Sequence, residues 1–400
     1  MTKPTEIKSV LVSFFVLIFV LDLYLFGGGR VIEVYGLTLR MILFAIALLL
    51  SFFVLLQTEK ISRTLVFCFF IFLVIILYSS YITSIDGDIE FSSISAYLFV
   101  LNIFFFYTFK DKVFNTVERI VPFAALLMSV LYLSFLALVF FEKLSFLDVY
   151  TFIPESELFL RGQEGLVYKG FLYLLIGALY FVIVDRFGIF NRIVFFTICF
   201  LAIAATLTRG FMISLLLVVF LYYYFNLRNN LIKFSLVFFL VSVLIFTLTM
   251  VPHFFLREGS DSTRLNDIFE FLNFINTGGY QVIFGKGISG YLGSRPSIEN
   301  AYMDVWFRFG FIGLVVLILI LVKIALDYQL LKKKHDNVKV IQWLYYSVVL
   351  IFIQSNFNPY VNNYIGGTFV IFVLIFFDAE RQSLNKKNLS AESKCFGKEI

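Results

Sequence analysis

Residues 301–326 read AYMDVWFRFGFIGLVVLILILVKIAL, with no charged side chain from Phe309 to Val322. A run this long matches the roughly 20 apolar residues that cross a bilayer as a helix. Eleven further runs resemble it: 9–26, 37–57, 64–82, 91–109, 120–141, 166–184, 189–207, 210–227, 231–251, 340–357 and 364–379. They are too continuous for strands. A transmembrane β-barrel would alternate polar and apolar residues in pieces of about ten, and this chain does not. The expected fold is an all-α integral membrane protein of about twelve transmembrane helices. Residues 1–400 then form a single polytopic domain.

Composition says the same. Of the 400 residues, 60% are hydrophobic, 15% are charged and 55 are phenylalanine, and the mean hydropathy is +0.93. Soluble domains average roughly 45–50% apolar and about 25% charged. Their cores stop growing near roughly 250–300 residues. A soluble multidomain enzyme, a disordered chain and a disulfide scaffold are thereby excluded. Cys68 and Cys199 lie in apolar runs and Cys395 in the polar tail, so no disulfide is expected.

Lysine and arginine orient the spans. With the N-terminus inside, 21 of the 32 cations fall in inner loops, among them Lys60, Arg63, Lys110, Arg186, Lys323 and Arg381. Both termini are then cytoplasmic, and 380–400 is a cytoplasmic tail. The first run has no small-residue cleavage site after Gly27–Gly28–Gly29, so it reads as an uncleaved span. Lys332–Lys333–Lys334 reads as a topology signal, and no nucleic-acid partner is expected. Inner cations are mostly lysine, which anchors to anionic membrane lipid. Outer ones are mostly arginine: 30, 40, 161, 209, 257, 264, 295 and 308. Topology does not favour that excess. Arginine suits bidentate contact with phosphate or carboxylate, so the set points either to phosphate binding or to pairing with outer acids.

Two outer loops are long, 142–165 and 252–300, and loops of such length are usually functional. In the second, Asp261 can cap a helix. After it, Leu265, Ile268, Phe269, Leu272 and Ile275 recur at helical spacing, with Asp267, Glu270 and Asn273 on the other face. Thr277–Gly278–Gly279 ends the pattern. This predicts an amphipathic helix on the membrane surface. Arg264 sits in its first turn, where free N–H groups also favour an anion; pairing with Asp261 or Asp267 is the alternative. Gly285–Lys286 is no P-loop, because Tyr280 stands where the earlier glycine would be. Asn300, Asp304 and Arg308 share one face at the outer end of the 301–326 span. Polar groups there face protein or water rather than lipid. They are read as substrate-binding candidates, or as a pair that only holds helices together. Asp86–Gly87–Asp88 reads as an acidic turn, and no metal site or cofactor is expected. Gln354, Asn356, Asn358, Asn362 and Asn363 suit either sugar recognition or a plain turn.

Four motif pieces, in order, carry a resemblance. They are T-x-T-R-G (Thr206, Thr208, Arg209, Gly210), Ser262–Thr263–Arg264, F-G-x-G-I at 284–288, and E-N-A-Y followed by F-G-F-I-G across 299–313. Over roughly residues 195–325 the sequence resembles the O-antigen polymerase and O-antigen ligase superfamily. The resemblance implies a glycosyltransferase-C-like fold in the bacterial inner membrane, with a long periplasmic loop and the active site on that side. It implies a polymerase moving a growing glycan from undecaprenyl pyrophosphate onto a new lipid-linked repeat unit. A ligase delivering glycan to the lipid A core is the alternative, and a lipid-linked oligosaccharide flippase a further one. The expected partners are the undecaprenyl-pyrophosphate-linked oligosaccharide, membrane lipid and a chain-length regulator protein.

Under that resemblance Arg209 and Arg264 become catalytic candidates, since a leaving pyrophosphate needs its charge stabilised. Arg161 and Arg295, in the long loops, become substrate-binding candidates beside Asn300, Tyr302, Asp304 and Arg308. Many relatives, the ligases especially, carry a motif like H-N-x-Y-L where this chain has Glu299–Asn300–Ala301–Tyr302–Met303. The departure makes Glu299 the candidate base, leaves His253 as a fallback, and favours polymerase over ligase.

Overall fold

The computed structural model describes residues 4–29, 32–34, 37–57, 62–86, 91–145, 157–161, 165–235, 237, 258–293, 298–335 and 337–396. The apolar runs become helices: α1 Pro4–Leu25, α2 Leu39–Leu55, α3 Arg63–Asp86, α4 Phe91–Ser95, α5 Asn102–Thr108, α6 Lys110–Phe140, α7 Phe171–Ile183, α8 Ile189–Ala205 and α9 Arg209–Asn226. After them come α10 Glu258–Thr277, α11 Tyr280–Phe284, α12 Ala301–Lys334, α13 Val338–Gln354 and α14 Tyr364–Phe396. Among the described residues, four helices are long and apolar enough to cross a membrane: 63–85, 110–140, 209–226 and 301–333. Val10–Leu25, Leu39–Leu55, Phe171–Ile183, Ile189–Ala205 and Val338–Gln354 are apolar but shorter. The chain is an all-α membrane protein. Most of the run at 231–251 lies outside the described residues.

Two short antiparallel hairpins interrupt the helices. Glu33–Val34 (β1) pairs with Leu37–Thr38 (β2), and Leu158–Arg161 (β3) pairs with Gly165–Tyr168 (β4). The second hairpin takes the first residues of the apolar run at 166–184, which therefore turns helical only at Phe171.

Helix α7 is the centre of the core, with every residue from Phe171 to Phe181 buried. Gly177 lets it approach α6 closely. A methyl at that position would collide with the Ala125 side chain, so small residues set the helix spacing. Trp343 of α13 packs edge-on against Tyr180, and its indole N–H donates to the Ile176 carbonyl at 3.0 Å. By contrast α3 exposes Val66, Phe67, Phe70 and Leu77. Such apolar surface, facing away from the core of a membrane protein, is the surface lipid covers.

Two buried ionic assemblies tie the helices together. Arg40 opens α2 and donates from Nε to Asp22 Oδ2 of α1 at 2.8 Å, and from Nη2 to the Asp22 carbonyl at 2.7 Å. The guanidinium also lies over the Tyr364 ring at 4.9 Å. Nearby, Glu157 accepts from the Gly28 N–H at 2.7 Å, and Tyr168 donates to the Leu25 carbonyl at 2.8 Å. Burial, with the charge of Glu157 second, pushes the Tyr168 hydroxyl above the usual tyrosine range. The second assembly lies near the far end of α12. There Lys323 pairs with Asp327 and, at 3.2 Å, with Asp378 of α14. Arg381 binds Asp327 at 3.2 Å and Asp378 at 3.0 Å. Buried charges of this kind persist only when paired.

Candidate functional site

Helix α12 is not continuous. Gly310 has φ 69° and ψ −177°, so the helix breaks there and the carbonyls one turn earlier lose their helical partners. Those carbonyls are taken by the glycine motif. Phe307 O accepts from the Lys286 N–H at 2.8 Å, and Arg308 O accepts from the Gly287 N–H at 3.2 Å and the Ser79 hydroxyl at 3.2 Å. The docking needs glycine on both sides. Gly285 has φ 86°, and a Cβ there would overlap the Arg308 carbonyl; a Cβ on Gly310 would overlap the Ile283 carbonyl. The F-G-x-G-I and F-G-F-I-G pieces are therefore two halves of one backbone junction.

Above that junction stand Asp304 and Arg308, 4% and 7% exposed. Asp304 Oδ1 accepts from Arg308 Nε at 3.0 Å and from the Ile298 N–H at 3.4 Å, and its Oδ2 accepts from Asn362 Nδ2 at 2.7 Å. Arg308 also donates to the Ile288 carbonyl. These bonds join α12 to Ile288, to Ile298 and to the turn between α13 and α14.

One turn further out, Asn300 caps α12, and its side-chain oxygen accepts from the N–H groups of Tyr302 at 3.0 Å and Met303 at 3.1 Å. The cap places Glu299 just before the positive end of the helix. Glu299 Oε2 accepts from Arg264 Nε at 2.8 Å, and each side chain is about one-third exposed (31% and 32%). The structure thus joins two candidates that lie in separate motif pieces. Besides the alternative of a local pairing with Asp261 or Asp267, the structure gives Arg264 a long-range partner.

Helix α10 carries Arg264. Phe271 meets Trp306 at 5.6 Å and Phe274 meets Phe307 at 4.9 Å, both edge-on, and these contacts dock α10 onto α12. The stripe Leu265, Ile268, Phe269 and Leu272 remains exposed, as a helix resting on a membrane surface requires. Asp267, expected on the polar face, is buried instead.

The T-x-T-R-G turn opens α9. Leu207 has φ 54°, and Thr208 donates its N–H to Thr206 Oγ1 at 3.2 Å. Arg209 is the first helical residue and is half-buried. Gly210 seats against the Phe357 ring, which a Cβ would meet at 2.9 Å. Phe357 belongs to the turn 354–363. From the same turn region the Ser355 carbonyl accepts the Ala301 N–H at 2.9 Å, and the Phe352 carbonyl accepts from the Tyr302 hydroxyl at 2.6 Å. Both motif segments therefore rest on this turn. Sequence reasoning could not choose between sugar recognition and a plain turn for its amides. Asn362 holds Asp304, Asn363 Oδ1 accepts from the Ile365 and Gly366 N–H groups, and buried Gln354 accepts from Ser214 at 2.7 Å.

Of the remaining candidates, Arg161 ends β3 opposite Gly165. Arg295, His253 and most of the Asp86–Gly87–Asp88 turn lie outside the described residues. Of the outer arginines, Arg40 is absorbed in the buried Asp22 pair.

The chain is similar to an O-antigen polymerase of Shigella flexneri, with 27% identity over 376 residues, covering 90% of this chain and 93% of that protein. Coverage this broad includes the whole motif stretch. No family model matches the chain.

Proposed function

We propose that the chain, placed in the O-antigen polymerase and ligase superfamily by its motif series and its whole-length likeness, is an O-antigen polymerase. That likeness to a named polymerase carries the assignment, and the Arg264–Glu299 pair supplies the chemistry. The enzyme is a glycosyltransferase of the bacterial inner membrane with about twelve spans, both termini cytoplasmic and its site on the periplasmic side. Its donor is a glycan on undecaprenyl pyrophosphate, its acceptor the sugar of a new lipid-linked unit, and a chain-length regulator is its partner.

In this reading the pyrophosphate of the donor takes the guanidinium of Arg264, with Arg209 as a second cation. Bidentate arginine contacts neutralise the charge that grows as the bond from the anomeric carbon to the pyrophosphate oxygen breaks. Glu299, displaced from Arg264, accepts the proton of the acceptor hydroxyl as its oxygen bonds to the anomeric carbon. The products are a glycan longer by one unit and free undecaprenyl pyrophosphate. Asn300 and Tyr302 fix the segment, and Arg161 and Arg295 are further candidates for contact with the substrate.

Deleting the gene and separating the surface polysaccharide by gel tests this directly. The expected product is a single repeat unit still attached to its lipid anchor. Loss of every attached repeat would assign the chain to ligation or flipping instead.

A further inference from the structure

Two helices that meet at the site diverge at their other ends. At the site end, Ser79 of α3 donates to the Arg308 carbonyl, and Thr83 Oγ1 accepts from the Ser289 N–H at 3.4 Å. Towards the start of α3 a cavity of about 610 Å³ separates it from α12. That volume lies within the roughly 300–1,000 Å³ of ligand pockets. Its walls are apolar, including Phe67, Ile71, Val316, Leu319 and Leu374, and its end carries Arg63, Thr64 and Lys323.

Among the described residues the charges at that end are not balanced. Lys323 and Arg381 are held by the two buried carboxylates Asp327 and Asp378. Arg63 is exposed, and among the described residues no carboxylate pairs with it. Among the described residues one positive charge is therefore left over at the opening. Thr64 donates to Asp378 Oδ1 at 3.0 Å, which fixes the first turn of α3 and with it the place of Arg63.

The dimensions choose the occupant. Along α3 the cavity runs from Arg63 to Phe72. Nine residues of helix span roughly 13–14 Å, close to half of the roughly 30 Å hydrocarbon core. Beyond Phe72 and Ile320 the space narrows to about 80 Å³. The wide part is thus one leaflet deep, with a cation at the membrane surface and hydrocarbon walls below. A chain crossing the whole bilayer does not fit this shape.

We propose that the cavity is a binding site for one anionic glycerophospholipid of the leaflet faced by Arg63, the cytoplasmic leaflet by the lysine and arginine bias. Its phosphate sits at Arg63 and one acyl chain fills the space between α3 and α12. The bound lipid braces α3, whose other end holds the Arg308 carbonyl.

The test uses the full-length protein, purified in detergent and stripped of lipid. It is mixed with equal amounts of dioleoyl-phosphatidylglycerol and dioleoyl-phosphatidylcholine, and retained lipid is read by native mass spectrometry. The chains are identical, so the headgroup alone is compared. The expected result is one retained phosphatidylglycerol at no less than about fivefold preference, a difference of about 1 kcal/mol. Arg63→Ala removes the preference, and Arg63→Lys keeps part of it. Leu319→Trp, which fills the cavity, lowers retention of both lipids. Equal retention by the unaltered protein, or an undiminished preference in Arg63→Ala, overturns the proposal. Should Leu319→Trp fail to insert, the Arg63 pair of variants decides alone.

Discussion

Arg264 and Glu299, 35 residues apart in the chain, meet at 2.8 Å through the guanidinium Nε and one carboxylate oxygen. The pair is about one-third exposed, lies at the capped start of α12, and brings together a cation suited to a leaving pyrophosphate and a carboxylate suited to an acceptor hydroxyl. The two side chains have separable roles, and the roles predict different variants.

Arg264→Ala leaves an inserted protein that extends chains about 10²–10³-fold more slowly, the usual loss when one group stabilising a developing charge is removed. Arg264→Lys recovers little, because a lysine is a point charge without the planar fork. The measurement is the ladder of surface polysaccharide at equal protein level in the membrane. A normal ladder in Arg264→Ala removes it from the mechanism. Arg209→Ala is expected to behave the same way.

Glu299→Gln keeps the shape and removes the base. A rate lower by about 10²–10⁴-fold is expected at unchanged protein level. Near-normal extension would mean that the acceptor is activated by another group.

Arg40 gives the contrast. It is buried against Asp22, so Arg40→Ala leaves an uncompensated carboxylate at a cost of about 3–5 kcal/mol. The expected outcome is a protein depleted from the membrane, unlike Arg264→Ala. Immunoblots of membrane fractions decide it. Equal, normal levels for both variants would remove the structural role given to Arg40.

Asp304 and Arg308 are separated into holding and substrate contact by a double variant. Asp304→Asn alone leaves a buried cation and destabilises by about 3–5 kcal/mol. Asp304→Leu with Arg308→Met removes both charges and restores the protein level, since an apolar pair of similar volume replaces a buried ion pair at little cost. Chain extension by the double variant is expected. A normal level without extension would assign the pair to substrate.

Gly310→Ala puts a methyl into the Ile283 carbonyl at a positive φ. A loss of about 1–3 kcal/mol is expected from the backbone alone, seen as a lower unfolding temperature in detergent. An unchanged temperature would mean that the α12 break is not fixed by this junction.

Much of this molecule is legible from its side chains in order. The runs at 37–57, 64–82 and 301–326 announce helices because bilayer helices must be apolar along their whole length. The glycine motifs are visible, but their purpose is not. That Gly285 answers Gly310 depends on a helix break which no local pattern encodes. Phe271 and Phe274 fall outside the apolar stripe of α10, because a helix touching both protein and lipid has two apolar faces. Strand β4 hides at the start of the 166–184 run, which reads as helix throughout. Arg264 and Glu299 were each visible through a motif resemblance, but their contact is tertiary, as is that of Arg40 with Asp22.

The central claim is best tested by the purified protein in vesicles, given a synthetic undecaprenyl-pyrophosphate-linked repeat unit as both donor and acceptor. Products are released by mild acid and sized. The account predicts a ladder of multiples of the repeat from the unaltered protein, and only the single unit from Arg264→Ala and Glu299→Gln. A ladder from both variants, or none from the unaltered protein supplied with its native repeat unit, would contradict it.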